Sequence, residues 1–186
     1  MREHLGQGHR YEHVVRVARC ADVLAHIHGA DSSKARLAGM LHDIARLYST
    51  KRLLDECELR AMEIDAFERD HPIVLHARLG AQIAQESFAV HDPEILSAIA
   101  KHTVGAPEMS TLDCILYLAD GLEPGRPFPE RAGLWKLALT DLHEAMRATI
   151  AQSLQYMERQ GLAVAPQTLA AAKAFGLAEG VLPSLN

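Results

Sequence analysis

The stretch Leu37-Ala38-Gly39-Met40-Leu41-His42-Asp43-Ile44-Ala45 decides how this chain is read. It is an apolar, helix-like run with an imidazole and a carboxylate side by side inside it. An ionised carboxylate among aliphatic side chains is costly unless a cation, a metal or several hydrogen bonds compensate it. Helix propensity gives no reason for the pair, because His and Asp are both mediocre helix formers. Metal coordination does give one. Imidazole nitrogen and carboxylate oxygen are the donors that borderline and hard divalent cations such as zinc, iron and manganese accept.

Outward from this run, the periodic stretches are helical. Val14, Val17, Ala18, Ala21, Leu24 and Ala25 recur at three- and four-residue intervals, predicting one buried stripe on a first helix. Gly29 is its expected stop, and Asp31 or Ser32 caps the helix carrying the His42-Asp43 pair. Ser49 or Thr50 starts a short helix through Leu53, Leu54 and Cys57. Pro72 opens a longer one through Ile83 and Phe88, and Asp92-Pro93 another that runs to His102. Ser110 and Asp113 have capping-box spacing ahead of a helix from Ile115 to Leu122, closed by Pro124-Gly125. A long amphipathic helix is expected from Leu134 to Gln160 and a small one from Ala170 to Leu177. No stretch alternates with period two for long enough to form a strand. The fold class is therefore all-α, and aromatics at 5% leave small and aliphatic side chains to fill a closely packed core.

The chain has 186 residues, suited to one domain. Hydrophobic residues at 48% and charged ones at 23% give the balance of a globular protein. The net charge of -5 leaves no basic footprint for nucleic acid. No apolar run is long enough to span a membrane, and the first residues lack the hydrophobic core of a signal peptide. The cysteines Cys20, Cys57 and Cys114 lie far apart and read as reduced thiols of a cytoplasmic protein. The apolar stripe of the long helix from Leu134 would serve a homodimer as readily as an internal core.

Six polar residues intrude into apolar helical sequence: His13, His42, Asp43, His76, His102 and Asp120. A lone buried aspartate such as Asp120 would be strongly destabilising without a partner. His71 competes with His76, but it precedes Pro72, which pushes it out of helical geometry. His4, His9, His26, His28, His91 and His143 lie at expected helix ends or on solvated faces and are read as surface residues.

The ordered set resembles the HD-domain superfamily of metal-dependent phosphohydrolases. The segments Arg10-Tyr11-Glu12-His13, Leu41-His42-Asp43-Ile44-Ala45, His76-Ala77 with Gly80-Ala81, Lys101-His102-Thr103, and Tyr117-Leu118-Ala119-Asp120 with Glu123-Pro124-Gly125-Arg126 resemble its YqeK family. Those proteins are bacterial symmetrical dinucleoside tetraphosphate hydrolases. The resemblance implies a single-domain HD-type helical bundle over residues 10–165, with an N-terminal extension at 1–9 and a short helix and tail at 166–186. It further implies two divalent transition-metal ions, iron first, with Mn, Co or Zn also suited to the donors. His13, His42, Asp43 and Asp120 would hold the first metal, and Asp43 would bridge to a second completed by His76 and His102.

The expected reaction is symmetrical cleavage of diadenosine tetraphosphate to two ADP. Two metals lower the pKa of a water towards ~7 and neutralise phosphoryl charge during in-line displacement. Asp43 is the central catalytic candidate, and Arg46 and Arg126 are expected to hold phosphates. Arg46 stands where the resemblance favours Lys, which keeps the charge and exchanges a point donor for a planar fork. Thr103 and Lys101 are candidate pocket-lining residues. The same ligand cage also suits a nucleotidase, a cyclic-nucleotide phosphodiesterase or a diiron oxygenase.

Overall fold

A computed structural model describes residues 8–178; the first seven residues, His4 among them, and the last eight lie outside it. Among the described residues ten α-helices and one 3-10 turn account for the regular structure, and no strand occurs. The helices are α1 (His9–Ile27), α2 (Ser32–Leu41), α3 (Thr50–Leu59), α4 (Ala66–Asp70), α5 (Leu75–Phe88), α6 (Pro93–Lys101), α7 (Thr111–Leu122), α8 (Arg131–Ala138), α9 (Leu142–Arg159) and α10 (Pro166–Ala174). The 3-10 turn, Pro72–Val74, leads into α5. Among the described residues no helix is long and apolar enough to cross a membrane.

Helix α7 is the centre of the bundle. Leu112, Cys114, Ile115, Leu116, Tyr117, Leu118, Ala119 and Leu122 are all buried, so it is apolar nearly all round, as a helix enclosed by others must be. Helices α1, α6 and α9 pack against it. The expected stripe on α1 is buried at Val14, Val17, Ala18, Ala21, Leu24 and Ala25. Helix α1 also packs closely against α2, and Gly39 makes this contact possible. A Cβ there would lie 2.6 Å from Ala18 Cα, nearer than two carbons can approach.

The expected caps form. Asp31 accepts from the backbone N–H groups of Ser33 and Lys34 at 2.7 and 3.1 Å, and Ser110 and Asp113 complete a capping box at α7. Several boundaries differ from expectation. Helix α2 ends at Leu41, so the His42-Asp43 pair follows it in a run of turns. Bonds from Ile44 N–H to Leu41 O, Arg46 N–H to Asp43 O and Tyr48 N–H to Ala45 O tighten this run to an i→i+3 pattern. Arg46 therefore does not follow His42 on one continuous α-helix.

The helix expected from Leu134 to Gln160 is two, α8 and α9, restarted at Asp141, whose side chain accepts from Glu144 N–H at 2.9 Å. The stripe of α9, including Ala145, Met146, Ile150 and Leu154, is buried within this chain's own core. The last helix runs over Pro166–Ala174 rather than from Ala170 to Leu177. Pro72 opens the 3-10 turn, and α5 follows it; α4, with a capping box between Asp65 and Glu68, was not expected.

Candidate metal centre

The turn after α2, together with α1, α5, α7 and the end of α6, brings the six polar residues to one buried point. His13 lies in the second turn of α1 and Asp120 near the end of α7. His76 opens α5, and His102 caps the end of α6. His42 is fully buried, and Asp43 is only 3% exposed.

Asp43 faces two ways. Its Oδ2 lies 3.6 Å from both His13 Nε2 and His42 Nε2, and its Oδ1 lies 3.3 Å from His76 Nε2 and 3.9 Å from His102 Nε2. Asp120 Oδ1 joins the first side, 3.1 Å from His13 Nε2 and 3.7 Å from His42 Nε2.

The outer ring nitrogens explain why Nε2 points inward on all four histidines. Nδ1 of His42 donates to Gly39 O at 2.8 Å, that of His76 to Ile73 O at 2.5 Å and that of His102 to Ile99 O at 2.7 Å. Each bond reaches back three residues, so local helical geometry sets the ring. His13 Nδ1 instead donates to Glu123 Oε1 at 3.1 Å. With the proton on Nδ1, every Nε2 carries its lone pair into the centre.

These donors fit metal ions. The Nε2 atoms of His13 and His42 are buried without a hydrogen-bond partner among the described residues. Those of His76 and His102 approach to 3.2 Å, an arrangement of two lone pairs that a cation would relieve. Potential ligand atoms from His13, His42 and Asp43, from His42, His102 and Asp120, and from Asp43, His76 and His102 each gather within 4.8 Å. Burial, reinforced by the neighbouring imidazoles, pushes His102 down to about 3, and burial likewise lowers His42. Both rings are therefore neutral near pH 7, the form that ligates. Burial would raise the Asp43 carboxyl; His42 and His76 lower it only while they carry a proton toward it, and with the rings neutral a bound cation would take over that stabilisation. Burial would likewise raise Asp120, whose permanently charged partner is the Arg126 guanidinium.

A polar cavity of about 190 Å³ opens on this point, lined in part by Arg10, Arg46, Thr103 and Arg126. Arg46 and Arg126 thus both line this cavity. Arg126 Nε donates to Asp120 O at 2.9 Å, and its Nη2 donates to Asp120 Oδ1. The Arg46 side chain makes no hydrogen bond or ion pair among the described residues. Thr103 Oγ1 lies 3.2 and 3.1 Å from the Nε2 atoms of His76 and His102. Lys101 turns away, donating to Asp113 Oδ2 and Glu108 O, each at 2.8 Å. His71 also stands apart, stacked on Phe67.

Two residues escaped the sequence reading. Arg10 donates from Nη1 to Asp43 Oδ2 at 2.7 Å. Glu123, 2% exposed, orients His13 while accepting from Arg16 Nε at 2.5 Å and Gly125 N–H at 2.6 Å. Burial works against the charge on Glu123, yet these bonds bring its pKa down to about 2. Partners of this kind fix the tautomer and orientation of a ligating ring. Glu123→Gln is expected to weaken metal affinity by roughly 10–100-fold, as loss of such a partner typically does. Chelator competition checks this, and unchanged affinity would contradict the role.

A helical bundle that aims four imidazoles and two carboxylates at one buried point defines a candidate metalloprotein. The HD domain family model matches residues 10–125, and the chain belongs to this family. A Bacillus subtilis protein named "Bis(5'-nucleosyl)-tetraphosphatase, symmetrical" is 38% identical over 161 residues, covering 86% of each chain. A Halalkalibacterium halodurans protein of the same name is 34% identical, covering 87% of this chain and 86% of its own. Among solved structures, a Clostridium acetobutylicum protein described as a "predicted HD superfamily hydrolase involved in NAD metabolism" superposes with a TM-score of 0.90 at 31% identity. That match covers 94% of this chain and 92% of the other.

Proposed function

We propose that this chain is a metal-dependent phosphohydrolase that cuts dinucleoside polyphosphates, diadenosine tetraphosphate first, symmetrically into two ADP. The observation that carries the reading is Asp43, whose two oxygens face two separate pairs of imidazoles. Such a carboxylate is placed to join two metal sites: His13, His42 and Asp120 on one side, His76 and His102 on the other. The relatives' names support the substrate class. Iron is the proposed metal, and the His/carboxylate donors also suit Mn, Co or Zn. Bound there, two divalent cations would supply Lewis acidity and lower the pKa of a water towards ~7.

The protein's own part is to position and to neutralise. Arg46 and Arg126 flank the cavity, where their planar forks match phosphate oxygens. Thr103 offers a hydroxyl beside His76 and His102 to a group bound at the second site. The cysteines are buried, with Cys20 and Cys114 raised by burial to about 11 and 12, so neither serves as a thiolate nucleophile. The departing ADP leaves as an ionised phosphate and needs no protonation. The arginine-lined mouth favours an anionic substrate and so disfavours a polyol oxygenase. The proposal places this chemistry in a domain over residues 10–165 of a cytoplasmic enzyme with no nucleic-acid partner.

Incubation of diadenosine tetraphosphate with the metal-loaded chain tests the reading. ADP is expected as the sole nucleotide product, and heavy-oxygen water should label one ADP of each pair. ATP plus AMP would contradict it.

A further inference from the structure

The cavity over the metal centre does not end there. A second cleft of about 180 Å³ adjoins it, lined in part by His9, Arg10, Arg16, Gly125, Arg126 and Pro127. The two cavities share Arg10 and Arg126, which therefore stand at the boundary between them. Among the described residues both guanidiniums are anchored toward the centre: Arg10 on Asp43, Arg126 on Asp120. Among the described residues Arg10 uses one N–H, from Nη1, on Asp43, although a guanidinium carries five N–H donors, and its side chain is 30% exposed. Arg16 adds positive charge to the same cleft while its own fork is occupied by Glu123.

Gly125 keeps this cleft open. A Cβ there would lie 2.7 Å from Arg16 Nη2 and 2.9 Å from Glu123 Oε1, so any side chain would displace the groups that form the wall. Three arginines against one carboxylate, Glu123, make the cleft basic, and it borders the reacting centre through Arg10, Arg126 and His13.

The geometry points to this outer cleft as the subsite for the phosphates of the departing nucleoside diphosphate, with Arg10 gripping them at the boundary. The inference rests on the polyphosphate substrate proposed above and assigns the direction in which its chain runs. The phosphorus under attack lies over the metal centre, and the P–O bond that breaks points past Arg10 and Arg126 into the cleft. The leaving half then departs as an anion between guanidiniums, the arrangement that stabilises charge as it develops.

Arginine footprinting of the metal-loaded chain with phenylglyoxal tests this without turnover, using ADP as the probe. At ADP tenfold above its Kd, modification of Arg10 is expected to slow about tenfold by simple occupancy. Arg36, which lines neither cavity, should react at an unchanged rate. Equal modification of Arg10 with and without ADP overturns the inference. So does equal protection by inorganic phosphate at the same concentration, because the cleft would then be a plain anion site.

Arg10→Gln should weaken ADP binding about tenfold in calorimetry, the loss expected for a charged hydrogen bond, with metal content unchanged. A fall in metal content in that variant would instead make Arg10 a support for Asp43 and overturn its phosphate role. Unprotected Arg10 with ADP as the reaction product sinks the subsite alone. ATP and AMP as products sink the assigned reaction.

Discussion

Asp43→Ala is expected to lower hydrolysis by a factor on the order of 10³ or more while the helical bundle stays folded. Metal-ion stabilisation of the transition state is worth several kcal/mol, and each ~1.4 kcal/mol is tenfold in rate. Asp43 is the carboxylate whose oxygens face both sides of the centre, so its loss should remove the link between the two proposed sites. The fold should survive because its core is the apolar surface around α7, to which Asp43 adds little. Removing the carboxylate leaves Arg10 without its partner, but that side chain is 30% exposed and can turn to water. Steady-state hydrolysis with circular dichroism on the same sample checks both halves. Activity within tenfold of the parent, in a folded variant, would contradict the bridging role.

Gly39→Val is expected to be the most damaging single change to stability among the glycines. The added Cβ would stand 2.6 Å from Ala18 Cα and 3.0 Å from Ala18 N, which are backbone atoms that cannot swing aside. Helix α1 would have to move off α2. Overpacking of this kind costs ~1–3 kcal/mol, and in a chain of this size each kcal/mol lowers Tm by roughly 2–4 °C. A fall in Tm on the order of 10 °C is therefore expected, because Val also adds β-branching beyond the first methyl. The damage should reach the centre as well, since α1 carries His13 and Gly39 O orients His42. Gly133→Ala in α8, where a Cβ meets nothing within 4 Å, should leave Tm unchanged or slightly raised. A Gly39→Val melt within about 2 °C of the parent would contradict this account of the α1–α2 contact.

The sequence made the helical class and the site's six polar residues legible for a physical reason. A charged or imidazole side chain inside an apolar period is an anomaly visible without coordinates, and His42, Asp43, His76, His102 and Asp120 are each such anomalies. The caps at Asp31, Asp92 and Ser110 were legible because they are local, settled within three residues. The end of α2 was not, because an apolar pattern of a few residues cannot separate a period of 3.6 from the tighter turns that follow Leu41. The restart at Asp141 was legible in principle, through the spacing of Asp141 to Glu144, but the continuous apolar stripe on either side concealed it.

Arg10 and Glu123 belong to another class of difficulty. Their contacts span 33 and 110 positions, so nothing in their neighbours distinguishes them from surface charges. Glu123 lies in the Glu123-Pro124-Gly125-Arg126 segment that carried part of the resemblance, and its burial beneath Arg16 is a product of packing alone. Arg126 was expected to hold a phosphate and lines the cavity, but the turn at Pro124-Gly125 gave no sign that it would anchor on Asp120.

The central claim is that these side chains hold two metal ions joined through Asp43, and metal content per chain tests it most directly. After anaerobic reconstitution and removal of excess metal, elemental analysis of the full chain is expected to give about two transition-metal ions per chain. A value that never exceeds one would contradict the claim, removing His76 and His102 as ligands and leaving Asp43 with nothing to bridge.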